Sequence, residues 1–160
     1  MRISTAIISI IVISLLTTAA YRYFHEDWVL YRKAERFFEQ KTYSKAIPLF
    51  DGLLGKGFKE TRVLSYLSES HERSGDLTGA IEAFKRLAGK VPDNRAIRLK
   101  LGELYDRKGD HVRAVSIYSS LLKTEPSSRS IRIRLARSLA AAGDFDGAIA
   151  QYRVILGENP

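Results

Sequence analysis

"GDHVRAVSIYSSLLKTEP", residues 109–126, decides the fold. It opens on a Gly-Asp pair, carries apolar residues at three- and four-residue steps, and stops at a proline. That spacing is the signature of one apolar stripe along a helix. Glycine accepts the left-handed backbone that ends a preceding helix cheaply, and the proline ends the one that follows. The stretch therefore reads as a turn followed by a helix with one face to bury.

Nearly the same phrase stands twice more. "SGDLTGAIEAFKRLAGKVP" occupies 74–92, "KGDHVRAVSIYSSLLKTEP" 108–126 and "AGDFDGAIAQYRVILGENP" 142–160, each displaced by 34 residues. Gly75, Gly109 and Gly143 recur, as do Asp76, Asp110 and Asp144, then Ala80, Ala114 and Ala148, then Phe84, Tyr118 and Tyr152, and finally Pro92, Pro126 and Pro160. Upstream, "LSESH", "LGELY" and "LARSL" supply a matching first helix, with Leu67, Leu101 and Leu135 in step. A small residue in the second helix lets the pair approach closely, and the aromatic four positions later fills the space beside it. One pair cannot cover its own stripe, so pairs stack into an array.

This pattern resembles the tetratricopeptide repeat family, most fully in "LGELYDRKGDHVRAVSIYSSLLKTEP". The resemblance implies an all-α solenoid, a right-handed superhelix of four 34-residue helix-turn-helix repeats at 27–60, 61–94, 95–128 and 129–160. The first unit departs from the pattern. Lys33 stands in place of leucine, Lys41 in place of the turn glycine and Phe58 in place of the last proline, while Pro48 falls inside the second helix; Ala34, Tyr43, Ala46 and Phe50 keep the register. It reads as an end repeat. At the other end, apolar residues around Ile149, Tyr152, Ile155 and Leu156 are expected to stay partly open.

Before the repeats, residues 3–20 form an uncharged run of eighteen, ISTAIISIIVISLLTTAA. As a helix it spans about 27 Å, close to the roughly 30 Å of a bilayer's hydrocarbon. Its nine Ile, Leu and Val residues contribute about −3 to −5 kcal/mol towards insertion, less small losses at Ser and Thr. Tyr21, Tyr23, Phe24 and Trp28, with Arg22 among them, follow as an interfacial belt. Residues 1–24 are therefore expected to be a single transmembrane anchor, with residues 3–20 in the bilayer. A cleaved leader ending in Thr18 and Ala20 at the −3 and −1 places is the competing reading. Counted simply, Arg22, Arg32, Lys33 and Arg36 draw the repeats to the cytoplasm. Three of those four belong to a folded repeat, however, and a two-residue tail carrying Arg2 resists translocation. The expectation leans to repeats outside the cytoplasm, at a membrane of the bacterial inner type.

The 160 residues carry 26 Lys and Arg against 18 Asp and Glu, a net charge of +8, which favours anionic partners without naming one. The absence of cysteine excludes disulfides, thiolate metal sites and a cysteine nucleophile. His71 and His111 fall at positions filled by Tyr105 and Phe145 in the next units, which marks them as packing residues. "SLLK" at 120–123 lacks its companion motifs, and "GLLGKGF" at 52–58 has too few spacer residues for a phosphate loop. Neither an enzyme nor a cofactor, metal or small-molecule substrate is expected.

The family's inner groove implies candidate binding residues on the first helix of each unit. Carried onto this chain they are Trp28, Tyr31, Glu35, Phe38, Arg62, Ser65, Glu69, Glu72, Leu99, Glu103 and Asp106. The ladder is acidic, which suits a basic or apolar segment. The lysine and asparagine with which relatives grip acidic chaperone tails are missing at their positions. A second candidate surface is basic: Arg95, Arg98 and Lys100 recur as Arg129, Arg132 and Arg134, with Arg137 beyond. Two functions follow. The first is a membrane-anchored scaffold binding protein partners in a membrane or envelope complex. The alternative is an electrostatic adaptor whose basic stripe on the third and fourth repeats meets anionic lipid or nucleic acid, nucleic acid being the less favoured since no aromatic interleaving accompanies the stripe.

Overall fold

The computed structural model describes the backbone of residues 2–157, and side chains for 7–21 and 25–157. The side chains of Arg2 and of Arg22, Tyr23 and Phe24 in the expected belt, together with Pro160, lie outside that description. Eight helices and no strand occur among the described residues: α1 Arg2–Glu39, α2 Tyr43–Gly55, α3 Glu60–Ser74, α4 Leu77–Lys90, α5 Arg95–Lys108, α6 His111–Thr124, α7 Arg129–Ala141 and α8 Phe145–Leu156. The chain divides into two compact units, Met1–Tyr66 and Leu67–Pro160. α3 begins in the first and ends in the second.

In the second unit each helix packs on its neighbour in chain order from α4 to α8. The Gly-Asp pairs set the period. Gly75, Gly109 and Gly143 take the left-handed conformation at φ 86°, 83° and 88°. The aspartate that follows each one caps the next helix: Asp76 accepts from the Gly79 N–H at 2.9 Å, Asp110 from Arg113 at 3.2 Å and Asp144 from Gly147 at 2.9 Å. These caps satisfy N–H groups that a helix start leaves without partners. As a result α4, α6 and α8 begin at Leu77, His111 and Phe145, 34 residues apart.

The core follows from the same phrase. Ala80, Ala114 and Ala148 are buried, and Phe84 and Tyr118 fill the space beside the first two. On α8 the pattern opens. Ile149, Tyr152 and Leu156 are exposed, and Ile155 is half-buried.

In the first unit α1 packs on α2. Tyr31, Ala34, Ala46, Phe50 and Leu53 are buried there, and the Tyr66 ring stacks on Phe50 with centroids 5.3 Å apart and planes 1° from parallel. Lys41, at the turn that lacks glycine, takes φ 58°, so the left-handed geometry survives a side chain that disfavours it. α2 continues through Pro48, which lies on its exposed side.

α1 is one helix across the whole of "YRYFHEDW". Ile7–Tyr21 is exposed along its length. An 18-residue window of this helix has mean hydropathy 1.7 and no buried share, so it is long and apolar enough to cross a membrane by length and composition.

Candidate protein-binding groove

The first helices of successive repeats are tied side to side by polar contacts about one repeat apart in sequence. From α3 to α5, Glu72 accepts from Lys100 Nζ at 3.3 Å and from Arg107 Nη1 at 3.1 Å, both at Oε1. From α5 to α7, Glu103 pairs with Arg134 Nη1 at 3.0 Å, while Lys100 also stands 3.5 Å from it. One step further, the Ser138 hydroxyl reaches both carboxylate oxygens of Asp106 at 2.8 Å, and His111 Nδ1 lies 3.2 Å from the same group. These links involve residues of the second unit that are expected to line its groove.

In the first unit the corresponding acid is Glu35. Tyr66 donates its hydroxyl to Glu35 Oε1 at 2.9 Å, Tyr31 reaches it at 3.4 Å, and Arg32 bonds Oε2 at 2.8 Å. Burial, then the hydrogen bond to Glu35, pushes the Tyr66 hydroxyl pKa up to about 12. Burial and the Glu35 charge raise that of Tyr31 as well. Both phenols therefore stay donors at neutral pH and hold the carboxylate in place.

Of the groove residues expected from sequence, Trp28 is half-exposed, Glu35, Phe38, Glu69, Glu72, Leu99, Glu103 and Asp106 are partly buried, and Arg62 and Ser65 are exposed. Tyr31 is 1% exposed and belongs to the core, so it offers no surface to a ligand. Glu69 pairs with Arg73 on its own helix at 3.2 Å. The acidic ladder is thus not an open row of charges. Glu72 and Glu103 are neutralised by cations of the next repeat, which alters the expected fit to a basic segment.

The seven basic residues do not make one surface. Lys100 and Arg134 turn towards the groove acids. Arg98 bonds Ser120 Oγ on α6 at 2.6 Å, Arg132 bonds Gln151 Oε1 on α8 at 2.9 Å, and Arg95 pairs with Glu125 at the end of α6. The reason is helical geometry. Residues two apart, such as Arg98 and Lys100, stand about 200° apart around the axis and face opposite sides. Arg95, Arg129 and Arg137 are exposed, and of these Arg95 is already paired with Glu125, which falls short of the continuous stripe expected.

Tyr118 sits beneath the groove. Its ring is fully buried, and its hydroxyl lies beside Asp106 and Arg134 without a hydrogen bond of good geometry to either. Burial, then the Asp106 charge, holds its pKa well above the usual value. Gly102 on α5 makes room for it, since a Cβ there would lie 2.6 Å from Tyr118 Cε1. His71 Nδ1 lies 2.9 Å from the capping Asp76, so this histidine supports a helix start. Among the described residues no group of three or more His, Asp or Glu converges as a metal site would require.

Comparison with known proteins agrees with the helical-repeat fold. A family model described as tetratricopeptide repeat matches residues 66–128 and 99–160. No curated protein matches the chain. Solved structures of MamA share the fold. One crystal structure of the MamA protein has a TM-score of 0.64 at 16% identity, covering 79% of this chain and 69% of that one. MamA AMB-1 gives 0.63 at 24%, covering 84% and 74%, and MamA MSR-1 gives 0.61 at 23%, covering 84% and 78%.

Proposed function

The chain belongs to the tetratricopeptide repeat family, a non-enzymatic family of protein-binding scaffolds, and on that premise we propose that it is a single-pass, membrane-tethered scaffold that recruits or stabilises subunits of a membrane or envelope complex. One observation carries the tether. The exposed apolar segment and the first helix of the repeat array are a single helix, Arg2–Glu39, with neither proline nor glycine in it. An apolar surface of that size facing water is unfavourable, at about 25 cal/mol per Å², and insertion into lipid removes it. The first repeat then stands at a fixed height above the bilayer.

The proposal puts the repeats on the extracytoplasmic face of a bacterial-type inner membrane; Arg2 precedes the apolar run, and a positive residue there favours keeping that end in the cytoplasm. The test is the full chain in its native membrane. It should resist carbonate extraction with residues 1–24 intact, should be cleaved by protease only from the extracytoplasmic face of sealed vesicles, and should leave gentle detergent bound to a defined subunit. Release by carbonate, loss of the amino-terminal segment, or a monomer alone in gentle detergent would overturn the tethered-scaffold reading.

A further inference from the structure

We infer that the outer face of α1 between His25 and Gln40 docks an acidic amphipathic helix of a protein partner held at the same membrane; the inference rests on the tethered reading above. On the other side of this helix Asp27, Tyr31 and Ala34 are buried. The outer face is an open helix flank made by α1 and Gln40 alone. Its apolar residues are Trp28, Val29 and Phe37, its cations are Arg32, Lys33 and Arg36, and no carboxylate stands among its described lining residues. Arg32 shares its charge with Glu35, while Lys33 and Arg36 are exposed.

Trp28 is the anchor of this face. It is 44% exposed, yet its ring is held edge-on against Tyr31 and Phe58, with centroids 5.7 and 6.1 Å away. The Lys59 ammonium sits 3.6 Å from its centroid. A half-exposed tryptophan fixed in one orientation is the kind of residue on which binding energy concentrates, because little side-chain entropy remains to be lost. Lys45, 5.8 Å from the Phe37 centroid, extends the positive rim. Glu26 and Glu39 stand near the two ends of the stretch. A complementary helix therefore carries its carboxylates opposite the middle, at Arg32, Lys33 and Arg36, and that arrangement sets its register.

Lipid is the competing occupant, and distance argues against it. With no break in α1, Arg32 stands about 18 Å and Arg36 about 24 Å beyond Ala20 along the helix axis. The headgroup layer is only about 5–8 Å deep on each side. A tilt of about 40° still leaves Arg32 about 14 Å out. The cations thus stand above the membrane surface, where a protein helix can reach them, and Trp28, about 12 Å beyond Ala20 and packed on Tyr31 and Phe58, belongs to this face and not to the interfacial belt expected from the sequence.

Trp28 is the sole tryptophan of the chain, so its fluorescence reads this face directly. The probe is a synthetic amphipathic helix with a leucine stripe flanked by glutamates, titrated against the full chain in nanodiscs of neutral lipid. The Trp28 emission should shift to the blue, and the affinity should fall about tenfold in the Lys33→Glu/Arg36→Glu variant and with added salt. The same peptide with lysine in place of glutamate should not bind. Equal binding of the two peptides, or affinity unchanged by charge reversal, would overturn the inference. So would a blue shift produced by phosphatidylglycerol in the nanodisc without peptide, which would assign the face to lipid. Failure of the chain to enter nanodiscs sinks the tether instead, and the titration repeated in mild detergent still reads the docking face by itself.

Discussion

Replacing Gly102 by alanine sets two effects of opposite sign against each other. In the interior of α5, alanine should stabilise by about 1 kcal/mol over glycine, through backbone entropy and helix propensity. Against that, the new Cβ would lie 2.6 Å from Tyr118 Cε1, 2.8 Å from Cζ and 3.1 Å from the hydroxyl oxygen. Carbon pairs prefer about 3.5–4.0 Å, so the overlap with the nearest ring atom is close to a full ångström. The ring cannot retreat, being 0% exposed, and the Cβ rides on helix backbone, so α5 and α6 must part. Overpacking of this kind costs about 1–3 kcal/mol, and two rigid frames place it at the upper end. The net expectation is a loss of about 2 kcal/mol, read as a drop in Tm of about 4–8 °C for a chain of this length. Far-UV circular dichroism on the full chain in detergent measures it. The pair should also be coupled. Tyr118→Leu alone leaves a cavity, but in the Gly102→Ala background it relieves the overlap, so the double variant should be more stable than the sum of the singles by at least about 1 kcal/mol. Stabilisation by the single change, or additivity of the two, would refute the close approach.

Three further outcomes follow from the same contacts and are checked by the same unfolding curves. Tyr118→Phe removes a buried hydroxyl that has no well-formed hydrogen bond and should stabilise by about 1 kcal/mol; a loss of that size would mean that the hydroxyl does bond Asp106. Lys41→Gly relieves a left-handed backbone at φ 58° and should gain about 0.5–1 kcal/mol after the entropy that glycine adds to the unfolded chain, whereas Lys41→Ala should gain nothing. Asp76→Ala removes the α4 cap and should lose about 1 kcal/mol at neutral pH. The hydrogen bond from the Gly79 N–H, then His71, holds the Asp76 carboxyl below its ordinary 3.8. A depressed carboxylate pKa contributes stability that is present above the ordinary value and lost as pH falls through the folded one. The difference between wild type and Asp76→Ala should therefore be constant from about pH 5 upward and shrink below about pH 4; a difference that grew in acid would contradict the cap.

How much of this was legible in the sequence depended on how local the cause was. The 34-residue period shows in the string because each turn is made by adjacent residues. A glycine takes positive φ and the aspartate beside it takes part in the same turn, so Gly109 and Asp110 announce the boundary between α5 and α6 without any distant partner. The first unit shows the limit. Lys41 does glycine's work at a cost in strain, and only the surrounding register of Ala34, Ala46 and Phe50 reveals that a turn is there. The continuity of α1 was also open to either reading, since "YRYFHEDW" contains no residue that forbids a helix and none that demands one.

The groove was legible in its positions and not in its charge, because charge in a stacked array is settled between repeats. Glu72 and Glu103 look like a binding ladder when each unit is read alone. Lys100 and Arg134 look like a separate stripe when the basic residues are read alone. The signal joining them was present: each cation follows an acid by about one repeat, 28 residues from Glu72 to Lys100 and 31 from Glu103 to Arg134. Side by side, helices with those offsets bring the opposite charges together. Both pairs are partly exposed, and pairs of that kind are worth about 0–1 kcal/mol each. They therefore contribute little to holding the array together, since burial of the alanine and aromatic positions supplies most of that. Their larger effect falls on recognition. A ligand carboxylate approaching Lys100 must compete with Glu72 and Glu103, and a ligand cation approaching Glu72 must compete with Lys100 and Arg107. Either exchange costs little, because the pair being broken is weak and half-solvated. Charge on this surface therefore discriminates poorly between acidic and basic segments, and selectivity must come from groups whose partners do not change, such as the half-buried Leu99 on α5.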